Sequence, residues 1–119
     1  MQMVVETKGD VHVVRVREAR LTYPILSSFL TEVRALVEAG ASRVLVDLSD
    51  VTYLDSASIG CLMDIYRLLR DKGGVLKLSG LRPRVETMIS MTGMHKIVAL
   101  HASEAEALAA FLSDRQSEG

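Results

Sequence analysis

The strongest constraint on the fold of this 119-residue chain is a run of apolar residues near the middle of the sequence. The segment Val44-Leu45-Val46-Asp47-Leu48 shows almost no alternation between apolar and polar positions. A strand with one face in water alternates with a period of two, whereas a strand covered on both faces, as parallel strands are, is apolar at successive positions. The run therefore predicts a central strand in a sheet with helical cover.

The remaining patterns place a hairpin before this strand and alternate helices with strands after it. Branched apolar residues at 4–5 and 11–16, separated by the turn sequence Lys8-Gly9-Asp10, predict an antiparallel hairpin. The other predicted elements are a helix from Pro24 to Gly40, the strand at 44–48, a helix from Ile59 to Lys72, a strand at 75–79, a short helix from Pro83 to Gly93, a strand at 97–100 and a helix that starts at the capping box of 103–106.

The resulting order is β-β-α-β-α-β-α-β-α. Strands that alternate with helices after an initial hairpin imply a mixed, mostly parallel sheet with right-handed crossovers. We therefore expect one α/β domain over residues 1–113. The C-terminal tail over 114–119 offers no apolar residues to pack, and we expect it to fray.

Composition excludes several classes of protein. Apolar residues make up 49% and charged residues 24%, the balance of a globular domain rather than of a disordered chain. The formal charge of -1 argues against direct binding of nucleic acid. The single cysteine, Cys61, cannot form an internal disulfide, the chain begins without a signal-peptide pattern, and no apolar run reaches the 18 to 20 residues that span a bilayer. We expect a cytoplasmic protein that does not insert into membranes.

Motifs for catalysis, metals and cofactors are missing from the sequence. His12, His95 and His101 have no ligand spacing to one another or to Cys61, which we expect to be a buried thiol in the second long helix. The serines lack the G-x-S-x-G pattern of a nucleophile elbow, and the glycines form neither a P-loop nor a dinucleotide fingerprint. These observations predict a protein that is not an enzyme and holds no metal or cofactor.

One segment stands apart: residues 46–60, VDLSDVTYLDSASIG, join the end of the central strand to a group of hydroxyls at a helix entrance. On the residues alone, Ser56 is a helix N-cap worth about 1 kcal/mol. Asp55 is an alternative cap or a turn carboxylate.

This segment resembles the STAS domains, small α/β modules found as bacterial anti-sigma factor antagonists and as cytoplasmic parts of sulfate transporters. A D-S-[STA]-G-[LI]-G signature opens the second helix of that family. Asp55 and Ser56 match its first two positions, Ile59 and Gly60 its last two. Asp47 matches the aspartate at the strand end. The stretches KGGVLKL, LRPRV and MTGMHKIV follow in the family's order, so the resemblance covers nearly the whole chain.

The resemblance implies a non-enzymatic switch, an anti-sigma factor antagonist in a partner-switching pathway. Such an antagonist binds an anti-sigma factor that is a serine kinase of the GHKL type. Phosphorylation of a hydroxyl in the motif ends binding, and a serine phosphatase resets the switch. The implied partner contact comprises Asp55, Ser56, Ala57, Ser58 and Ile59.

Two motif positions depart from the family pattern. The phosphorylated residue of the best-known pattern stands third, where this chain has Ala57, and the following glycine is replaced by Ser58. In another branch of the family the accepting hydroxyl directly follows the aspartate, which here is Ser56. We therefore expect phosphorylation at Ser56, with Ser58 as second choice. The sequence leaves open the alternative that the protein binds its partner constitutively and is never phosphorylated.

Two alternatives to the switch remain at this point. The chain is a STAS subunit of a membrane lipid-transport ATPase complex without phosphoregulation, or a small hydrolase that uses Ser56. Arg82 and Arg84, which flank Pro83, are suited to acidic groups or a phosphate, or they are merely exposed.

Overall fold

The computed structural model describes the backbone of residues 2–118 and the side chains of residues 2–114. The strands are β1 (Met3–Lys8), β2 (Val11–Val16), β3 (Arg20–Leu21), β4 (Arg43–Asp47), β5 (Tyr53–Leu54), β6 (Val75–Ser79) and β7 (Ala99–His101). The helices are α1 (Tyr23–Glu38), α2 (Ser56–Asp71), α3 (Pro83–Ser90) and α4 (Glu104–Glu118), and a short 3-10 helix (Met94–Lys96) precedes β7.

Five of the strands form one sheet in the order β1-β2-β4-β6-β7. β1 is antiparallel to β2, and the other neighbours are parallel. The strand predicted from the central apolar run is β4, which lies in the middle of the sheet with Val44, Leu45 and Val46 fully buried. The predicted hairpin, mixed sheet and helical cover are confirmed.

Helices cover both faces of this sheet. α1 and α2 bury Phe29 and Leu62 in the larger apolar cluster, and α3 contributes to the same cluster. On the opposite face α4 packs Phe111 into a second, smaller cluster. β4 supplies Val46 to the first cluster and Leu45 to the second, because successive side chains of a strand point to opposite faces.

The structure differs from the prediction in its shorter elements. β3 and β5, two residues each, pair in parallel as a separate small sheet, and neither was predicted. α2 begins at Ser56 rather than Ile59. The last strand begins at Ala99 rather than residue 97, because the amides of Ile97 and Val98 donate to the carbonyl of Met94 and form a turn instead of strand pairing.

α4 extends past the predicted domain end at residue 113. Its capping box is confirmed on one side, since the Glu106 amide donates to Ser103 Oγ at 3.2 Å. Asp114, the first residue of the predicted tail, is tied to β6 through an ion pair of 3.0 Å between its Oδ2 and Lys77 Nζ. Fraying over 114–119 stays a prediction.

Arg15 connects β2 to three other elements on the face of the sheet that α4 covers. Its guanidinium pairs with Glu6 on β1 at 3.0 Å, with Asp47 on β4 at 3.1 Å, and with Glu104 in the first turn of α4. Glu104 also lies 2.6 Å from Lys8 Nζ. Hydrogen bonds from Arg15 and then Lys8 to the charged form lower the pKa of the Glu104 carboxyl to about 2.

We predict that Glu104→Gln removes part of the acid sensitivity of the fold. A carboxyl whose folded-state pKa lies below its ordinary value of 4.5 stabilises the fold above pH 4.5, and this contribution is lost as the pH falls towards 2. Between pH 6 and pH 3 the wild type should lose on the order of 2 kcal/mol more unfolding free energy than Glu104→Gln, measured by urea titration.

Glu106→Gln is the matched control, because it removes an exposed charge from the same helical turn and breaks no described ion pair. Its acid dependence should follow that of the wild type. Parallel curves for Glu104→Gln and wild type would contradict the assigned role of Glu104.

Candidate functional site

The candidate site lies where the chain enters α2, and the small β3–β5 sheet positions it. Arg20 pairs with Tyr53 and Leu21 with Leu54, so the segments that lead into α1 and α2 run side by side. Both leucines are buried and anchor this sheet in the core. The Thr52 amide adds a hydrogen bond of 2.7 Å to the carbonyl that precedes β3.

Asp55 holds the beginnings of two helices with one carboxylate. It is the N-cap of α2, where Oδ1 accepts from the Ser58 amide at 2.8 Å. Its Oδ2 accepts from the amide of Tyr23, the first residue of α1, at 2.9 Å. Burial by itself raises the pKa of this carboxyl, but the Tyr23 and Ser58 amides stabilise the charged form and hold the pKa below its ordinary value.

Ser56 is the first residue of α2 and not its cap, which corrects the N-cap interpretation of this serine. Serine and aspartate are both residue types that cap helices. Asp55 is the cap here because its two oxygens accept hydrogen bonds from amides of both α1 and α2. Ser56 is exposed, and its hydroxyl makes no hydrogen bond to any residue that the structure describes. The hydroxyl of Ser56 therefore faces solvent.

Ser58 has the opposite environment. Its side chain is fully buried, and its Oγ donates to the Asp55 carbonyl at 2.7 Å. This burial argues against both roles that the sequence suggested for Ser58, as second-choice phosphorylation site and as a side chain that touches a partner. The helix period explains it, since Ser58 lies one turn before Leu62 on the buried face of α2.

Ala57 of the motif lies beside a groove between α1 and α2. The groove has a volume of about 350 Å³, and its walls include Tyr23, Leu30, Ala57 and Cys61. Ala57 is exposed there, while Ile59 is half-buried against the core.

Cys61 is the buried thiol that was predicted. Burial, and to a smaller degree the charge of Asp64, raises the pKa of this thiol to about 11, so it stays protonated near neutral pH. On the same helix, Asp64 and Arg67 form an i,i+3 ion pair of 3.2 Å.

Two arginines lie against the ring of Tyr53, next to the start of α2. The Cζ atoms of Arg20 and Arg84 are 4.3 Å and 5.8 Å from the ring centroid. Arg82, at the start of α3, donates its Nε–H to the Ser49 carbonyl at 3.0 Å. The sequence pointed to the arginines of α3 but not to Arg20 or Tyr53, because only the pairing of β3 with β5 brings these two together.

Asp47, the strand-end aspartate of the motif, has a structural role. Its Oδ1 accepts from the Ser49 amide at 2.9 Å and its Oδ2 from Arg15. Across the described part of the chain, no group of three or more His, Cys, Asp or Glu side chains is placed to hold a metal ion. None of the helices within residues 2–118 has the length and apolar character needed to cross a membrane.

Comparison with known proteins agrees with this geometry. The family model of the STAS domain matches residues 2–107. The chain belongs to the STAS domain family. The family prediction made from the D-S-A-S-I-G motif is confirmed, and so is the single-domain α/β fold that it implied.

Similar STAS proteins include named regulators. The anti-sigma F factor antagonist of Paenibacillus polymyxa is 26% identical over 74 residues, which cover 62% of this chain and 63% of that protein. The anti-sigma-B factor antagonist of Bacillus subtilis is 33% identical over 67 residues, which cover 56% of this chain and 61% of that protein. The chain thus spans about three fifths of the length of these curated relatives.

A solved structure is similar over a longer stretch. The crystal structure of an anti-sigma factor antagonist from Mycobacterium paratuberculosis has a TM-score of 0.83 to this STAS protein, with 25% identity and 92% of each chain covered.

We predict that Asp55→Ala destabilises the protein by about 2 kcal/mol, because it removes a cap and leaves amides of two helices without an acceptor. Asp55→Asn should fall between wild type and Asp55→Ala, since an amide side chain still caps but has only one acceptor oxygen. Urea unfolding followed by circular dichroism measures both.

Asp71→Ala, in the exposed last turn of the same helix, is the control and should stay within about 0.5 kcal/mol of wild type. A loss for Asp55→Ala no larger than that of Asp71→Ala would refute the double-cap role.

Proposed function

We propose that this STAS protein is a regulatory binding module that binds an anti-sigma factor and is released by phosphorylation of Ser56. The relatives named as anti-sigma factor antagonists support the choice of partner. One structural observation supports the choice of switch: of the two motif serines, Ser56 is exposed with a free hydroxyl, and Ser58 is buried and hydrogen-bonded. In this proposal the protein acts in the cytoplasm by binding alone and catalyses no reaction.

The proposed modification leaves the fold intact. Because Asp55 caps α2, a phosphoryl group on Ser56 breaks no hydrogen bond among the described residues. The group adds about -1.5 to -2 charges and three acceptor oxygens, and the first turn of a helix favours negative charge. The domain should therefore change its surface and keep its structure.

The same group opposes binding at that surface. Ser56 and its neighbour Ala57 are both exposed, and Ala57 borders the α1–α2 groove, so a partner that packs there covers the modified position. A dianion placed in such a contact must lose its water, at a cost on the order of several kcal/mol. About 4 kcal/mol corresponds to a thousandfold loss of affinity.

The proposal includes the enzymes that drive the cycle. The anti-sigma factor is a serine kinase of the GHKL type that phosphorylates Ser56, and a serine phosphatase removes the group. The motif resemblance supports these assignments, and the exposure of Ser56 is compatible with access by both enzymes.

We predict that Ser56→Ala binds the anti-sigma factor as the wild type does and that Ser56→Asp binds at least tenfold more weakly, because a fixed negative charge imitates part of the phosphoryl group. The measurement is capture from lysate of the source cells, identification of the captured anti-sigma factor by mass spectrometry, and titration of the purified pair. Incubation of that pair with ATP should give a phosphopeptide that contains Ser56 and none for Ser56→Ala.

Ser113→Asp is the matched control, since Ser113 is an exposed serine on α4. It should bind like wild type. Equal affinity of wild type, Ser56→Ala and Ser56→Asp would rule out the switch, and capture of a transport ATPase subunit in place of an anti-sigma factor would favour the transport-complex alternative.

A further inference from the structure

The ring of Tyr53 with the guanidinium groups of Arg20 and Arg84 forms a compact cluster on the surface, which we call the arginine–tyrosine cluster. Both arginines are exposed and Tyr53 is half-buried. Each guanidinium lies close enough to the ring for a cation–π contact. The pairing of β3 with β5 fixes Arg20 beside Tyr53, so the ring holds both cations in one place.

The positive charge of this cluster is not neutralised within the described part of the protein. Neither Arg20 nor Arg84 forms an ion pair with a carboxylate of residues 2–114, whereas Arg15 and Arg67 do. Asp55 is near in sequence, but amides of α1 and α2 occupy its two oxygens.

Local helix electrostatics also oppose the charge of Arg84. This residue lies in the first turn of α3, where the helix dipole favours anions over cations. Arg82 adds a second positive charge at the N-cap of that helix. Charges that contradict a local preference are typical of functional surfaces.

We propose that the arginine–tyrosine cluster is a docking surface for an acidic segment of a protein partner. Guanidinium groups present planar forks that match carboxylates in a bidentate geometry, and contact with an aromatic ring holds the forks in place before binding. Tyrosine and arginine are among the residue types enriched at the energetic hot spots of protein interfaces. Carboxylates from a partner would supply the charges that the cluster lacks.

The position of the cluster links it to the proposed switch. Ser56 follows Tyr53 by three residues, at the start of α2. A phosphoryl group on Ser56 would add negative charge beside the cluster, where it repels an acidic partner and competes for the same arginines. This link rests on the proposed function, whereas the docking of an acidic segment does not.

A peptide titration tests the docking surface without any knowledge of the natural partner. The full-length ¹⁵N-labelled protein is titrated with a deca-glutamate peptide and monitored by amide chemical shifts. We expect the largest shifts at Arg20, Tyr53 and Arg84, binding at least tenfold weaker in the double variant Arg20→Gln/Arg84→Gln, and loss of binding in 0.5 M NaCl, because both arginines and their charge are required. The double lysine variant should bind with intermediate affinity, because it keeps charge and loses the planar forks.

Arg34→Gln is the control, which removes one exposed positive charge away from the cluster. Arg34 is an exposed residue of α1 about 16 Å along the helix from its start, and it should leave peptide affinity within twofold of wild type. Thermal unfolding of every variant confirms that the fold is retained. Unchanged affinity in the folded double glutamine variant, or shifts centred elsewhere on the protein, would overturn the proposal.

Vesicles of phosphatidylglycerol distinguish a lipid surface from an acidic protein. Binding of vesicles through the cluster with no response to deca-glutamate would overturn the protein assignment. Titration with the captured anti-sigma factor is a separate test. In it the double glutamine variant should bind at least tenfold more weakly than Arg34→Gln. A failure of the Ser56 experiments leaves the peptide result standing, so the two proposals fail separately.

Discussion

The geometry of the site depends on one carboxylate, that of Asp55. A helix start leaves amide groups without intrahelical partners, and here amides of two different helices point at the same side chain. By accepting from both, Asp55 fixes where α1 and α2 begin relative to each other and therefore the mouth of the groove between them. Because this task falls to Asp55, the next residue is left free at the surface. The exposed hydroxyl of Ser56 is thus a consequence of the cap.

Charge is used in two ways in this small domain. Arg15 is mostly buried and satisfied by three carboxylates, and it joins β1, β2, β4 and α4. Arg20 and Arg84 are exposed, and neither forms an ion pair with a carboxylate among the described side chains. The net charge of -1 is the sum over all charged groups of the chain, so it says little about the surface that a partner meets. Positive charge that is already paired contributes to the fold, and positive charge that is unpaired is available for recognition.

The sequence predicted those parts of the fold that local patterns specify. The run at 44–48 led to the central strand, and the 3.6-residue periods led to α1 and α2, because burial of a strand or helix face leaves a periodic signal. β3 and β5 leave no periodic signal in the sequence, because a strand of two residues is too short to show a period. Their pairing also joins segments that are far apart in sequence. The arginine–tyrosine cluster was missed for the same reason. The choice of Asp55 over Ser56 as cap was also undetermined locally, because the deciding contact is with Tyr23 on another helix.

The burial of Ser58 follows from the helical periodicity of the sequence alone. Its spacing to Leu62, Ile65 and Leu69 is four, seven and eleven residues, the buried stripe of a helix, so the period alone places its hydroxyl in the core. A phosphoryl group there would displace the hydrogen bond to the Asp55 carbonyl and bury a dianion among apolar side chains, at a cost that a domain of this size cannot bear. Ser56 lies two positions earlier, about 200° around the helix, and faces water. Of the two hydroxyls in the D-S-A-S-I-G motif, helical geometry therefore exposes that of Ser56 and buries that of Ser58.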